Sequence, residues 1–151
     1  MDQAEELRYL VLAVQREGNR QLTEALSPLD LTPAQAEVLQ VLEQYQPLTL
    51  LQLGELLVCE SGSPSRLVTT MVAKGLVQKV VSAVDRRASQ LTLTDQARQL
   101  LPRLNEIETQ FNQAPYAWLD DATIEQALTL LWRFAANSSG GQALKRRKQP
   151  R

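Results

Sequence analysis

The 151-residue sequence predicts a mainly α-helical fold with one small β-hairpin. Three observations lead there. Apolar residues recur at helical spacing through most of the chain, and helix-capping signals interrupt that pattern at regular points. Only two short stretches, 76–81 and 90–93, have the character of strands, and a polar segment separates them.

Each element follows from local chemistry. The first helix covers about residues 3–26, with Leu7, Leu10, Val11, Val14, Leu22, Ala25 and Leu26 at helical spacing, and ends before Ser27-Pro28. Thr32-Pro33-Ala34-Gln35 starts a second: a capping Thr, Pro at the first helical position and Gln three residues after the cap. Ala36, Val38, Leu39 and Leu42 face inward along it, and it stops before Pro47. Thr49 and Gln52 repeat the capping spacing and open a short helix from Leu50 to about Leu57. Ser61-Gly62-Ser63-Pro64 starts the next, with either serine as cap and Leu67, Val68, Met71 and Val72 inward. Gly75 sits just past its end, where a left-handed residue is expected. The two strands follow, and Asp85-Arg86-Arg87 lies at the hairpin tip between them. Thr94 caps a long helix to about Gln113, with Ala97, Leu100, Leu101, Leu104, Ile107 and Phe111 on one face. Pro102 should kink it and Pro115 ends it. Asp120 and Asp121 begin a last helix with Ile124, Ala127, Leu128, Leu131, Trp132 and Ala135 inward. Residues 138–151, a Gly/Ser hinge and a basic run, are expected to form a flexible tail after a single domain over 1–137.

Composition narrows the function. An apolar fraction of 44% and a charged fraction of 22% suit one soluble globular domain. No run of roughly 18 apolar residues could cross a bilayer, and the acidic N-terminus lacks the basic start of a secretory signal. Cys59 is the single cysteine, so no internal disulfide can form, and the expected location is cytoplasmic. The chain contains no histidine, which removes the usual general base and weakens any zinc site. An enzyme is not expected, nor a metal or cofactor.

The net charge of −1 conceals segregation. Residues 1–60 carry ten acids and three bases. Residues 61–94 carry Arg66, Lys74, Lys79, Arg86 and Arg87 against Asp85 alone. Residues 95–137 are acidic again, and the segment from Ser138 holds five bases and no acid. An acidic scaffold with one cationic internal segment suits a phosphate backbone met in one place.

The stretch from Leu31 to Pro102 resembles the DNA-binding lobe of the MarR family. The resemblance is carried by LTPAQAEVLQVL, LTLLQLGELL, SGSPSRLVTTMVAKGLVQK and DRRASQLTLT, the DRR-to-LT segment after KGLV being the most specific part. It implies a winged helix-turn-helix lobe over 31–94, with helices 3–26 and 95–136 forming a dimerisation lobe. Thr70 stands where relatives often have a base, and Thr69 where an acid is common.

A helix in the major groove reaches base edges from its N-terminal half. The DNA-contact candidates are Ser61, Ser63, Ser65, Arg66, Thr69, Thr70 and Lys74, joined at the wing by Arg86 and Arg87. Hydroxyls can address phosphates or bases, though capping alone accounts for Ser61. An Arg can enter a narrow minor groove; the family's D-x-R pattern implies that Arg87 does so, with Asp85 orienting it. Apolar residues on the terminal helices, including Tyr9, Leu12, Trp118, Leu130 and Phe134, exceed what a small lobe can cover and suggest a homodimer. The resemblance implies binding of double-stranded DNA at a pseudo-palindrome by a repressor, and release by a small aromatic or phenolic effector. Tyr9, Arg16, Tyr45 and Trp118 are candidate ligand-lining residues. Cys59 beside Glu60 is expected to pack rather than sense oxidants, since a neighbouring acid raises a thiol's pKa. The rival reading is a winged-helix module that binds another protein. Five bases against one acid argue against it.

Overall fold

The computed structural model describes residues 1–59, 63–81 and 89–149. Helices α1 (Gln3–Leu26), α2 (Pro33–Tyr45), α3 (Leu50–Gly54) and α4 (Pro64–Ala73) precede an antiparallel hairpin, β1 (Val77–Val81) with β2 (Ser89–Leu93). Helices α5 (Asp95–Gln113), α6 (Asp121–Ala135) and α7 (Ser139–Lys148) follow. The mainly α fold with a β-hairpin is therefore the one the sequence predicts. Among the described residues no helix is long and apolar enough to cross a membrane.

The caps act as their chemistry dictates. Thr32 and Thr49 each form a complete capping box, with Gln35 and Gln52 returning a hydrogen bond to the cap's own N–H. Thr94 and Asp120 cap α5 and α6 by accepting from the third residue onward. Helix α5 runs as a single element through Pro102. Helix α3 ends at Gly54, short of the expected Leu57, yet Leu56 and Leu57 remain buried in the turn beyond it.

One core joins α2, α3, α4, the hairpin and the first half of α5. Leu39, Leu42, Leu53, Val68, Met71, Leu91, Leu93 and Leu104 are almost completely shielded from solvent within it. The hairpin is keyed to the helices through residues outside the two strands. Leu48 exchanges two backbone hydrogen bonds with Leu91, at 3.2 and 2.6 Å. The Gln46 Oε1 accepts from the Leu93 N–H at 2.8 Å. The segment linking α2 to α3 thus adds a third, one-bridge strand to the sheet.

The terminal helices carry more apolar surface than this chain covers, as the sequence led us to expect: Tyr9, Leu12, Trp118, Leu130 and Phe134 are exposed. In α1 only Leu26 is buried, while Leu10, Val11 and Val14, placed inward by their spacing, are exposed. No residue of α6 is buried, and Leu128 and Leu131 are about half exposed. Periodicity identified the apolar stripes correctly, but one chain does not cover them. Val72 of α4 is also partly exposed.

The expected flexible tail is a helix. Ser138 caps α7 by accepting from the Gly141 N–H at 3.0 Å, and Gly141 and Ala143 are buried. Long-range contacts hold it down: Tyr45 Oη donates to the Arg147 carbonyl at 3.0 Å, and the Arg147 guanidinium pairs with Glu37. The basic run folds because its cations have partners elsewhere in the chain.

The turn from α4 into β1 depends on Gly75, whose φ is +71°. Its N–H donates to the Val72 carbonyl and that of Leu76 to the Met71 carbonyl, both at 3.0 Å, closing the helix end. A Cβ at this position would lie 3.0 Å from Gln96 Oε1. Gly75→Ala is expected to cost about 1–2 kcal/mol through left-handed strain. A lower urea midpoint with an unchanged slope would register it.

Candidate nucleic-acid interface

Helix α4 is built to present one side. Val68 and Met71 are buried, whereas Ser65, Arg66, Thr69 and Thr70 are exposed. At 100° per residue these four positions form a continuous stripe on the opposite side from Val68 and Met71. The Thr69 hydroxyl donates to the Ser65 carbonyl at 2.8 Å and Thr70 to Arg66 at 3.1 Å. Both hydroxyls are therefore tethered to the helix's own backbone. The Arg66 guanidinium is the cation of the stripe.

Two serines were open as caps, and Ser63 is the one that serves: its Oγ accepts from the Arg66 N–H. Ser61 lies outside the described residues, as do the wing positions Asp85, Arg86 and Arg87. The hairpin strands that lead to the wing are paired in register from Val77↔Leu93 to Val81↔Ser89, with Lys79 exposed.

Lys74, expected among the DNA contacts, has partners within the chain. Its ammonium lies 3.1 Å from Asp30 Oδ2, bonds the Asp30 carbonyl and reaches Gln35 Oε1 at 3.3 Å. Gln35 belongs to the capping box of α2, so Lys74 ties the C-terminal end of α4 to the start of α2. This is a structural role at the end of the helix remote from its N-terminal half.

The backbone at Val58 and Cys59, the last described residues before Ser63, is held by a buried acid that sequence reasoning did not single out. Glu37 projects from α2 and is 6% exposed. Its Oε1 accepts from the Val58 N–H at 2.8 Å and its Oε2 from the Cys59 N–H at 2.7 Å. The Arg147 guanidinium completes the arrangement. A charged residue inside the otherwise apolar pattern AQAEVLQVL was the available signal, since a carboxylate on an inward face needs donors. Glu108 of α5 stands nearby; burial pushes its carboxyl up, a hydrogen bond from Gln40 opposes that, and the Glu37 charge adds to it.

Cys59 is exposed as a residue. Its thiol is nonetheless pushed up to about 11, first by desolvation and then by the Glu37 carboxylate. An acid that raises it is thus Glu37, distant in sequence; the neighbouring Glu60 lies outside the described residues.

Of the four proposed ligand-lining residues, Tyr45 lines clefts formed by described residues: one small cleft with Gln40, Glu43, Asn105 and Arg147, and another with Gln52, Leu56 and Arg146. None of the remaining three residues, Tyr9, Arg16 or Trp118, lines either. Tyr9 and Trp118 are 48% and 75% exposed, and Arg8 stacks over the Tyr9 ring at 4.2 Å. A larger cleft, about 890 Å³, opens between α3, the start of α4 and α7, with Leu50, Leu51, Val58, Ser63, Ser65 and Arg146 among its walls.

With this geometry in place, the comparisons with known proteins are specific. The MarR family model matches residues 31–89, the segment from α2 through α3, α4 and β1 to the first residue of β2. The multiple antibiotic resistance protein MarR of Escherichia coli is 33% identical over 85 residues, 56% of this chain and 59% of that protein. An uncharacterized HTH-type transcriptional regulator of Bacillus anthracis is 29% identical over 118 residues, 78% of this chain and 76% of its own. Among solved structures, a mutant MarR from E. coli complexed with operator DNA aligns with a TM-score of 0.78 at 25% identity. That alignment covers 89% of this chain and 99% of the other. The S. aureus MepR–DNA complex aligns equally well, at 0.78, over 85% and 96% of the two chains; at 23% identity it speaks to fold alone.

The raised thiol predicts slow chemistry at Cys59, because the thiolate is the reactive form. At pH 8, alkylation by iodoacetamide should run roughly a hundredfold slower than for an ordinary cysteine with a pKa of about 8.5. The rate should still be climbing as the pH approaches 11. A plateau reached near pH 9 would contradict the assignment.

Proposed function

The chain belongs to the MarR family, and on that premise we propose that it binds a pseudo-palindromic operator in double-stranded DNA as a homodimer and acts as a repressor. It is a DNA-binding transcriptional regulator of the winged helix-turn-helix kind. The observation that supports the contact surface is the exposed stripe Ser65, Arg66, Thr69 and Thr70 on a helix whose other side is anchored in the core. In the proposed complex α4 enters the major groove, Arg66 addresses a guanine or a phosphate, and the threonine methyls meet thymine methyls. At the wing, Arg87 reaches the minor groove, with Arg86 on the phosphates and Asp85 orienting its neighbour. Ser61 and Ser63 stand at the start of α4, where the helix dipole favours a phosphate.

The dimer is supported by the stripes that one chain leaves uncovered: Leu10, Val11 and Val14 on α1, and Leu128, Leu131 and Phe134 on α6. A second copy would bury them. Two α4 helices related by a two-fold axis would then lie about 34 Å apart, one turn of DNA. A small aromatic or phenolic effector that favours a different spacing of the pair would release the operator by population shift.

The test is a fluorescence-anisotropy titration of a duplex selected by the protein from a randomised pool, repeated across a series of salt concentrations. Affinity should fall steeply as salt rises. Arg66→Ala and Arg87→Ala should each weaken binding, and loss of a phosphate contact should flatten the salt dependence by about one unit per residue. Unchanged affinity and slope in both variants would remove helix and wing from the interface.

A further inference from the structure

The four consecutive cations of α7 all engage the protein itself. Lys145 Nζ donates to the Ala136 carbonyl at 3.0 Å, and Arg146 Nη1 to the Glu55 carbonyl at 3.2 Å. Arg147 pairs with Glu37, and Lys148 Nζ sits 4.8 Å from the centre of the Trp132 ring. These partners lie on both sides of α7: Ala136 and Trp132 belong to α6 and its end, Glu55 and Glu37 to the DNA-binding lobe. A run that reads in sequence as a mobile polycation is instead a connector between the last long helix and that lobe.

Its point of attachment is specific. Glu37 is the residue whose two oxygens hold the Val58 and Cys59 N–H groups. Ser63, the cap of α4, follows Cys59 after only three intervening positions. The guanidinium of Arg147, a quarter exposed, therefore sits one hydrogen bond removed from the backbone that leads into the recognition helix. Contacts around it point the same way. Arg146 reaches the carbonyl of Glu55, just past α3, and a Cβ placed on Gly140 would touch Val58 Cγ1 at 3.4 Å. A buried carboxylate bonded only to two amides retains much of its charge uncompensated; the guanidinium neutralises it and fixes its orientation.

We propose that α7 braces the connection into α4, and that Arg147, acting through Glu37, is a positioning residue for the DNA interface. The inference rests on the DNA-binding reading above, and adds to it a control point more than 70 residues away from α4 in sequence. Arg147 touches no DNA in this arrangement. It steadies the Val58–Cys59 backbone that precedes the N-terminal end of α4, and with it the end of the helix that offers Ser65 and Arg66.

The experiment pairs two readouts on the full-length chain, in the Arg147→Ala, Arg147→Lys and Glu37→Gln variants. The first is amide hydrogen exchange at Val58 and Cys59, which needs no DNA. The second is affinity for the selected duplex at several salt concentrations. Arg147→Ala should speed exchange at both amides and weaken binding roughly tenfold, the size expected for a group acting through another residue. The salt dependence should keep its wild-type slope, and Arg147→Lys should recover most of the affinity. Thermal melting distinguishes a displaced brace, with a cooperative transition retained, from a chain that no longer folds; in the latter case Arg147→Lys and Glu37→Gln decide the matter. Wild-type exchange in Arg147→Ala overturns the brace. Faster exchange with undiminished affinity overturns the positioning role, and a slope lower by about one unit makes Arg147 a direct phosphate contact instead. A wild-type protein that binds no duplex refutes the DNA-binding reading and the positioning role together, and the exchange data alone then judge the brace.

Discussion

The burial of one side of α4 is the constraint on which the rest of the molecule depends. Val68 and Met71 are locked among Leu39, Leu53, Leu91 and their neighbours, so the helix can neither roll nor slide without opening the core. Its outward stripe is thereby fixed in direction without any contact of its own. The ends are secured separately. Lys74 ties the C-terminal end to Asp30 and Gln35, while Ser63 caps the N-terminal end next to the Glu37-held connection. A helix pinned along its length and at both termini keeps its outward stripe ordered in the free protein, so a partner bound there would meet little ordering cost.

The electrostatics of the chain follow from the same division. Lys74, counted in the cationic segment 61–94, and Arg147, in the basic run after Ser138, both neutralise or bridge groups inside the protein. Arg66 has a different setting, exposed on the outward side of α4. Counting charges by segment therefore overstates how many of them are free for phosphate. The distinction matters for specificity: fewer mobile cations mean less sequence-blind attraction and a larger share for the groups on α4.

What could be read from the sequence was what is decided locally. Thr32, Thr49, Thr94 and Asp120 cap the helices they were expected to cap, because a cap and its target N–H lie within three residues. Gly75 closes α4 for the same reason. Illegible features depend on partners distant in the chain. Helix α7 carries two adjacent glycines, Gly140 and Gly141, in its first turn and would be marginal alone; its stability comes from Tyr45 and Glu37, about a hundred residues earlier. The Leu48–Leu91 bridge and the Lys74–Asp30 pair were hidden likewise. On α1 and α6 the apolar period was plain, but a period states that a face is to be covered and not by what. Within the candidate site, the exposure of Ser65, Arg66, Thr69 and Thr70 was recoverable from helical spacing, whereas Glu37 stood out only as a charge on an inward face, and its donors fold onto it from distant parts of the chain.

The most direct measurement is a residue-resolved NMR titration of the isotope-labelled protein with a short duplex at low ionic strength. The account predicts that the largest backbone shifts fall on the first two turns of α4 and on the hairpin, with Met71, Leu104 and the α6 backbone nearly still. Shifts concentrated on α1 and α6, or a spectrum unmoved by saturating duplex, would contradict it.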